Sequence, residues 1–244
     1  MDEITKFKKE VAENIAAQGN NEALKKAAEV FMTASIKSKY SYNFSWMGMP
    51  IIQYPQDMIA MQEIIWEVKP DLIIETGIAR GGSLIYYASL LELIGNGEVL
   101  GVDIDIREHN RNEIEKHPMF KRIKMIQGSS VSSETADKVR EHASGKKKVM
   151  VCLDSNHTQE HVLRELELYA PLVTASSYLV VFDTIVEHLP ENQSSERPWR
   201  KGNNPQTALI EFLKRNKNFE IKNDINGKLL LSVAPGGYLK KITE

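Results

Sequence analysis

From residue 71 onward, short apolar runs alternate with stretches in which apolar residues recur every three or four positions. The first pattern is typical of buried strands, and the second is typical of helices that cover a sheet. The pattern predicts strands near residues 72–75, 98–103, 122–126, 148–153 and 178–182, and helices near 82–94, 107–116, 132–143, 158–169 and 205–216. This alternation indicates an α/β fold with a mostly parallel sheet and helices on both of its faces.

The last part of the chain carries a different signal. Apolar runs near 219–225 and 228–234 flank Asn226-Gly227, a dipeptide that favours a two-residue hairpin turn. We therefore expect a sheet of seven strands that ends in a C-terminal antiparallel hairpin.

The first 68 residues precede the predicted sheet. Helical spacing predicts two helices within residues 3–38, broken near Gly19, and a third helix from Pro55 to Val68. We expect residues 1–68 to form an N-terminal helical segment that either caps the active site or packs against another subunit, and residues 69–244 to form the ligand-binding domain. Helices that the sheet does not need make a homo-oligomer the expected state.

Composition and charge exclude several function classes. The 244 residues include 31 basic and 33 acidic side chains, and a net charge of −2 offers no attraction for nucleic acid or an anionic membrane. No run reaches the roughly 18 apolar residues of a membrane span, and the first residues lack the apolar core of a signal peptide. The single cysteine, Cys152, lies in an apolar run, which suits a cytoplasmic protein without disulfides.

The stretch from Glu75 to Ser83, Glu-Thr-Gly-Ile-Ala-Arg-Gly-Gly-Ser, is the most informative part of the chain. An acid ends a predicted strand, a glycine-rich turn follows, and a helix begins. The next predicted strand ends in a second acid, Asp103. A nucleotide-type cofactor is expected at such a place, because glycines let the backbone approach it and the second acid can bind ribose hydroxyls.

The spacing within this loop distinguishes between classes of cofactor. The dinucleotide fingerprint Gly-x-Gly-x-x-Gly is absent, and Gly77 instead follows the acid by two residues. This arrangement better matches the first motif of S-adenosylmethionine-dependent methyltransferases, in which Glu75 would bind the cofactor's ammonium. The amides of Gly81, Gly82 and Ser83 would bind its carboxylate. Another nucleotide site, or glycines that serve only strand–helix packing, stay open as alternatives.

Carboxylates follow most of the predicted parallel strands. Asp154 follows the fourth strand and Asp183 the fifth. Aspartate is a common helix N-cap, which accounts for one or two such positions. Because ligands bind beyond the carboxyl ends of the strands, this pair would flank the cofactor's reactive methyl and could hold a hard cation such as Mg²⁺.

Further segments carry patterns as specific as the loop. They are Trp-x-Gly-x-Pro-x-x-Gln-x-Pro-x-Asp at residues 46–57, Gly-Ser-Ser at 128–130, and the stretches 153–166 and 178–184. Together with the loop they resemble the cephalosporin hydroxylase family over about residues 40–240. Its members look like S-adenosylmethionine-dependent O-methyltransferases, among them rhamnosyl-type sugar methyltransferases. The resemblance implies a Rossmann-like class I methyltransferase fold, bound S-adenosylmethionine and Mg²⁺, and a multimer.

The motif and the resemblance together assign roles to individual positions. The residues expected to bind S-adenosylmethionine are Glu75, Gly77, Gly81, Gly82, Ser83, Asp103, Ser129, Ser130 and Asp154. The expected metal ligands are Asp154 and Asp183. The chain departs from the family at Phe182, because an acid commonly stands before the second aspartate. Water, Glu187 or the substrate would then complete the metal site, or the metal would be absent.

Catalytic and substrate contacts follow from the same region. His157 stands three residues after Asp154 and is the expected general base, because histidine titrates near neutral pH. Asp154, His157 and Asp183 are therefore the expected catalytic residues. The long loop after the fifth strand carries the expected substrate contacts, His188, Trp199 and Arg200, since an aromatic ring with cations suits a sugar and its phosphate. A solvated loop, and a helix-start hydrogen bond for His157, are the alternatives.

The sequence thus predicts an S-adenosylmethionine-dependent O-methyltransferase, assisted by Mg²⁺. Its small-molecule acceptor would be a sugar, a nucleotide-sugar or a glycosylated metabolite in cell-surface polysaccharide or natural-product biosynthesis. One alternative is a catechol- or polyketide-type acceptor. The other is a chain that binds the cofactor without catalysis and supports a second biosynthetic enzyme.

Overall fold

The computed structural model describes residues 2–190 and 197–243. Its strands are β1 (Phe44–Trp46), β2 (Met49–Ile51), β3 (Leu72–Thr76), β4 (Glu98–Asp103), β5 (Ile123–Gln127), β6 (Val149–Leu153), β7 (Tyr178–Val181), β8 (Phe219–Ile221) and β9 (Tyr238–Lys241). Its helices are α1 (Glu3–Gly19), α2 (Glu22–Lys37), α3 (Pro55–Val68), α4 (Gly82–Ile94), α5 (Glu108–Lys116), α6 (Ser133–Ala143), α7 (Gln159–Tyr169), α8 (Pro205–Arg215) and α9 (Asn223–Leu229).

Seven of these strands form one sheet in the order β5-β4-β3-β6-β7-β9-β8. Strands β3 to β7 run parallel, and β9 pairs antiparallel with both β7 and β8. The class I methyltransferase fold expected from the sequence is therefore confirmed. The strand order reverses between β3 and β6, and a sheet of this kind binds its ligands at the carboxyl edge beside such a reversal.

Side chains of the central strand β3 alternate between two buried layers. Ile73 packs in the layer that contains Ile64 of α3 and Tyr87 of α4. Leu72 and Ile74 pack in the opposite layer, with residues of α7 and α8. Because both faces of the sheet are covered by helices, the strand reads as a continuous apolar run in the sequence.

The hairpin predicted at Asn226-Gly227 is wrong, although the antiparallel strands at the end of the sheet are present. Both residues lie inside α9, and the last strand begins only at Tyr238. The side chain of Gln18 on α1 donates hydrogen bonds to the carbonyls of Gly227 at 2.9 Å and Lys228 at 2.8 Å. Packing of α9 against α1 therefore overrides the local preference for a turn.

The N-terminal segment is joined to the sheet by buried polar contacts. Asp57 of α3 is fully buried and accepts hydrogen bonds from the Ser232 hydroxyl, the Val233 amide and the Tyr238 hydroxyl. Burial raises the pKa of Asp57 to about 6, against the lowering effect of these donors.

Within the described parts of the chain, none of the helices combines the length and apolarity that crossing a membrane requires.

Candidate active site

The loop between β3 and α4 lies at the carboxyl edge of the sheet, beside the reversal of strand order. Glu75 is buried in β3, and its Oε2 accepts a hydrogen bond from the Ser83 hydroxyl at 2.7 Å. Burial raises the pKa of Glu75 to about 8, although the Ser83 hydroxyl opposes this. A cationic ligand beside this carboxyl would favour its ionised form, as the expected ammonium contact requires.

Asp103 ends β4 and holds the same loop. Its Oδ2 accepts hydrogen bonds from the amides of Ile78 at 2.8 Å and Ala79 at 3.3 Å, and its Oδ1 accepts one from the amide of Asp105 at 3.0 Å. The loop therefore has a fixed shape before a ligand binds. Asp103 remains half-buried, so its carboxylate can still accept a hydrogen bond from a ribose hydroxyl.

Packing accounts for two of the loop glycines. A Cβ on Gly82 would lie 2.2 Å from the carbonyl oxygen of Pro50, and one on Gly81 would lie 2.4 Å from the Ile114 side chain. The Gly81 amide already donates to the Ile78 carbonyl at 2.8 Å. The structure therefore does not present this amide to a ligand, contrary to the expectation from the sequence.

Gly77 is required at the reversal of strand order itself. It has a φ of +91°, and an added Cβ would lie 2.1 Å from the carbonyl oxygen of Asp154. The missing side chain thus lets the loop after β3 pass directly against the loop after β6. The predicted cofactor loop and the first predicted metal ligand are consequently in contact.

Asp154 and Asp183 follow β6 and β7 and converge with His157 at this edge. One potential ligand atom from each residue lies within 4.8 Å of the others. The Nε2 atom of His157 lies 3.2 Å from Oδ2 of Asp183. We call these three residues the acidic centre.

The acidic centre brings two carboxyl groups together in a partly buried place. Burial, followed by the nearby carboxylates of Asp183 and Glu75, raises the pKa of Asp154 well above its ordinary value. A cation between the two aspartates would remove this repulsion and favour ionised carboxylates. Two carboxylates fit Mg²⁺, and addition of the imidazole gives a donor set that also suits Mn²⁺ or Zn²⁺.

Ser130 belongs to a hydrogen-bonded network behind the acidic centre. Its Oγ lies 3.1 Å from Nε2 of His161, which lies 3.1 Å from Oγ of Ser155. Ser155 in turn donates to the buried Glu165 at 2.7 Å. The network connects the loop after β5 with the loop that carries Asp154, so the side chain of Ser130 is engaged inside the protein. The neighbouring Ser129, also expected at the adenine, is half-buried.

A cavity of about 660 Å³ opens over the acidic centre and is also lined by Ala79 of the glycine loop. Trp199 lies edge-to-face against His157, with ring centroids 4.8 Å apart. The guanidinium of Arg197 lies 5.2 Å from the centroid of the Trp199 ring. Arg197 and Trp199 of the long loop thus both line the cavity.

The N-terminal segment also lines this cavity, at residues that the sequence did not single out. Its residues in the cavity are Ile36, Lys37, Lys39, Ser41, Tyr42, Ile52, Gln53 and Tyr54. Residues 53 and 54 lie inside the pattern at 46–57, and this pattern was the available signal. Trp46 of the same pattern packs instead, because its Nε1 donates to the Ser89 hydroxyl at 2.9 Å.

Two of the three expected substrate contacts lie outside this cavity. His188 lines a second cavity of about 900 Å³, between α1, α2 and α9. Arg200 makes a backbone bridge with Asn203, and its carbonyl accepts a hydrogen bond from Asn204. Trp199 alone of the three lies at the acidic centre, and Arg197 occupies the position expected for Arg200.

Comparison with protein families agrees with this geometry. The family model described as Rhamnosyl O-methyltransferase/CmcI matches residues 38–242. The match includes the glycine loop, the acidic centre and part of the N-terminal wall of the cavity. The chain belongs to this family.

Curated relatives in the rhamnosyl O-methyltransferase/CmcI family are mycobacterial. The rhamnosyl O-methyltransferase of Mycobacterium leprae is 34% identical over 142 residues, which are 57% of this chain and 60% of that protein. The enzyme of the same name from Mycobacterium tuberculosis is 32% identical over 153 residues, covering 60% of this chain and 59% of that protein. The matched region thus spans about 60% of the length of these relatives.

Solved structures of CmcI share the fold at low identity. An apo-structure of CmcI gives a TM-score of 0.60 at 17% identity, covering 83% of this chain and 78% of that chain. A structure of CmcI with Mg and S-adenosylmethionine gives 0.59 at 18% identity, with the same coverage. These matches show that the chain shares its fold with CmcI.

Phe182 stands where the resemblance led us to expect an acid. Its ring is 1% exposed and packs in the core, so this position contributes no ligand. Glu187, expected as a replacement, is engaged elsewhere, because its Oε2 accepts hydrogen bonds from the Gly202 amide at 2.8 Å and the Asn204 side chain at 2.5 Å. Among the described residues, the acidic centre therefore consists of two carboxylates and one imidazole.

Proposed function

We propose that this chain is an S-adenosylmethionine-dependent O-methyltransferase that methylates a hydroxyl of a sugar or a glycosylated metabolite, with Mg²⁺ at the acidic centre. The observation that carries the proposal is that the glycine loop and the acidic centre open into one cavity, through Ala79, Asp154 and Asp183. Membership of the family supports the same activity, because the curated relatives are named rhamnosyl O-methyltransferases.

The cofactor would lie along the carboxyl edges of β4, β3 and β6. Glu75 would bind its ammonium, and Asp103 would bind the ribose hydroxyls. Gly77 would keep the cofactor loop directly against the loop that carries Asp154, and Ser129 would lie towards the adenine. When bound, S-adenosylmethionine supplies an electrophilic methyl group on a sulfonium.

The acidic centre fits Mg²⁺ through Asp154 and Asp183. Mg²⁺ is commonly held by one or two carboxylates and completes its shell with water and substrate oxygens. The absence of a ligand at Phe182 is compatible with this arrangement, since open positions are what an acceptor with two adjacent hydroxyls needs. When bound, Mg²⁺ would supply Lewis-acid stabilisation of the acceptor oxygen.

His157 would accept the proton of the reacting hydroxyl. The hydroxyl proton would pass to the imidazole as the acceptor oxygen takes the methyl group, and S-adenosylhomocysteine would be left as the co-product. Asp183, 3.2 Å from His157 Nε2, would orient the ring and stabilise the imidazolium. Trp199 would form a flat surface for the sugar ring and exclude water from the same side.

Phe182 is the feature that favours a second candidate, a cofactor-binding chain without catalysis that supports another enzyme. The intact convergence of Asp154, His157 and Asp183 favours catalysis. A catechol-type acceptor would use the same centre, because it also offers two adjacent oxygens. The rings of Trp199 and Tyr42 in the cavity suit either a sugar or an aromatic acceptor.

We also propose that residues 1–68 act as a cap on the catalytic domain and that the chain forms a homo-oligomer. Large apolar side chains on α1 and α2 are exposed, and exposed apolar groups of this kind favour an interface. They are Ile4, Phe7, Leu24, Val30 and Phe31. Light scattering after size-exclusion chromatography measures the assembly directly, and a monomer at micromolar concentration would contradict the proposal.

The decisive experiment measures transfer of labelled methyl from S-adenosylmethionine to a panel of acceptors. The panel contains methyl rhamnoside, a rhamnosyl glycolipid head group, a nucleotide-sugar and a catechol. We expect label in a rhamnose-containing acceptor with Mg²⁺, and a loss of the signal with chelator. Cofactor binding without label in any acceptor would favour the non-catalytic alternative.

A further inference from the structure

Cations at the mouth of the active-site cavity have no described carboxylate partner. Lys37, Lys39 and Arg197 line the cavity, and no ion pair joins any of them to a carboxylate in residues 2–190 or 197–243. Other lysines of α1 and α2 do form such pairs, for example Lys25 with Glu22 at 2.9 Å. We propose that these three cations bind a phosphate group, so that the acceptor is a phosphorylated sugar such as a nucleotide-sugar. This inference rests on the proposed function.

Two of the cations lie on one tight turn. The helix dipole favours a lysine at the end of α2, which accounts for Lys37 alone. Lys39 has a φ of +55°, which is uncommon for a residue with a side chain. Its amide donates to the Ile36 carbonyl at 3.0 Å, and its carbonyl accepts from the Tyr42 amide at 3.0 Å. The turn is thus held in a shape that places both lysines at the cavity.

Arg197 is connected to the acidic centre through an aromatic ring. Its guanidinium lies over the face of the Trp199 ring. The Trp199 ring packs edge-to-face against His157, and His157 in turn contacts Asp183. The order of groups across the cavity is therefore acidic centre, aromatic ring, cation. A ligand with a reacting hydroxyl, a sugar ring and an anionic group matches this order. The planar fork of arginine suits the oxygens of a phosphate.

A buried amide in the same cavity points to a hydroxylated ligand. Gln53 is 7% exposed, and its Oε1 has no hydrogen-bond partner in the described structure. A buried acceptor without a partner is unfavourable, and a ligand hydroxyl would satisfy it. The lysines and Arg197 alone would fit any anion, whereas Gln53 and Trp199 restrict the ligand to one that also carries hydroxyls and a ring.

The cofactor itself carries an anion, because S-adenosylmethionine has a carboxylate. The carboxylate and the phosphate are two sources of the same chemistry at these cations. Substitution of the cations distinguishes the two sources. If the cations contact the cofactor, their loss lowers the affinity for S-adenosylhomocysteine. If they contact the acceptor, their loss lowers the preference for a phosphorylated sugar.

The test compares two probes, rhamnose 1-phosphate and methyl rhamnoside, by calorimetric titration into the full chain with and without S-adenosylhomocysteine. We expect the phosphate to bind at least about tenfold more tightly, and its affinity to fall with added salt. Lys37→Gln and Lys39→Gln should each lower the phosphate affinity about three- to tenfold, and the double variant should remove the preference. Lys26→Gln, on the exposed side of α2, is the matched control.

Each result decides between the two assignments. Equal binding of the two probes, no binding of either, or variants that keep the preference would overturn the proposal. Variants that weaken S-adenosylhomocysteine while keeping the phosphate preference would assign the cations to the cofactor and also overturn it. A lysine-dependent phosphate preference in a chain that fails to bind S-adenosylhomocysteine would support the anion site and contradict the proposed function instead.

Discussion

The two halves of the sheet edge satisfy their charged groups in opposite ways. On the β3–β4 side, the carboxylates of Glu75 and Asp103 accept hydrogen bonds from the glycine loop itself. On the β6–β7 side, Asp154 and Asp183 lie close together with His157, whose Nε2 is 3.2 Å from Oδ2 of Asp183. On the first side the protein itself supplies hydrogen-bond donors to both carboxylates, whereas on the second side the two carboxylates lie against one another.

The β3–β4 side is therefore a preformed binding loop, whereas the β6–β7 side is a centre that a bound cation would stabilise. A loop whose amides are already held requires little reorganisation when a cofactor arrives. Carboxylates brought together at a partly buried site are destabilising until a positive charge neutralises them. We therefore expect the β3–β4 side to determine cofactor affinity and the β6–β7 side to determine the rate of the chemical step.

The largest effect is expected from Asp154→Asn or Asp183→Asn. Each change should lower kcat/KM by about 10²- to 10⁴-fold, because it removes a metal ligand from the site of charge development. Affinity for S-adenosylhomocysteine should change less than about threefold. Initial rates and calorimetry measure both quantities. Asp105→Asn, an exposed carboxylate at the same edge, is the control, and equal losses in all three variants would contradict the division of roles.

A second prediction concerns Glu75→Gln. The variant should bind S-adenosylhomocysteine about 10- to 100-fold more weakly, because a charge-assisted contact with the ammonium is lost. An unchanged cofactor affinity with a lower rate would contradict the assignment of cofactor binding to the β3–β4 side.

The same variant has the opposite effect on the stability of the free protein. Burial raises the pKa of Glu75 to about 8, so the folded state holds this proton more tightly than the unfolded state. Ionisation therefore destabilises the wild type progressively as the pH rises from about 4.5 through about 8. Glu75→Gln removes this loss and should be more stable than the wild type at pH 9, by about 1–3 kcal/mol. Urea unfolding at pH 5 and pH 9 measures the difference.

A smaller effect is expected from His157→Asn. Loss of a general base should lower kcat about 10- to 100-fold, as measured by initial rates at saturating cofactor and acceptor. The control is His188→Asn, which changes a residue of the other cavity. A variant that instead loses activity only at low Mg²⁺ would show that His157 binds the metal.

The smallest effect is expected from Ser130→Ala. This residue belongs to the hydrogen-bonded network that connects the loop after β5 with the loop that carries Asp154. The change removes a hydrogen bond to His161 and should cost about 1 kcal/mol of stability. Affinity for S-adenosylhomocysteine should fall no more than about fivefold, because the side chain of Ser130 is engaged inside the protein. A loss as large as that of Glu75→Gln would place Ser130 in direct contact with the cofactor.

The fold was predictable because the strands are covered on both faces and the helices are amphipathic. Local patterns located β3, β4 and α4 within one residue of their ends. Asn226-Gly227 misled because the turn preference is local, whereas α9 is held by contact with α1, which is more than 200 residues away in sequence. A local sequence pattern cannot reveal a contact between residues so far apart in the chain.

The site was predictable to the extent that it depends on strand ends. Asp154, Asp183 and His157 come together because neighbouring parallel strands end at one edge, which topology alone implies. Lys37, Lys39 and Gln53 were missed because they reach the cavity through the packing of the N-terminal segment. His188 and Arg200 were misplaced because the path of a long loop is set by tertiary contacts, such as the bridge between Arg200 and Asn203.

The most direct test of the central claim is calorimetric titration of S-adenosylmethionine and Mg²⁺, separately and together, into the chelator-treated protein. Asp154→Asn is titrated in parallel. We predict that S-adenosylmethionine binds both proteins, and that Mg²⁺ produces a binding heat only in the wild type. Absence of S-adenosylmethionine binding with and without Mg²⁺ would contradict the assignment of this sheet edge to methyl transfer.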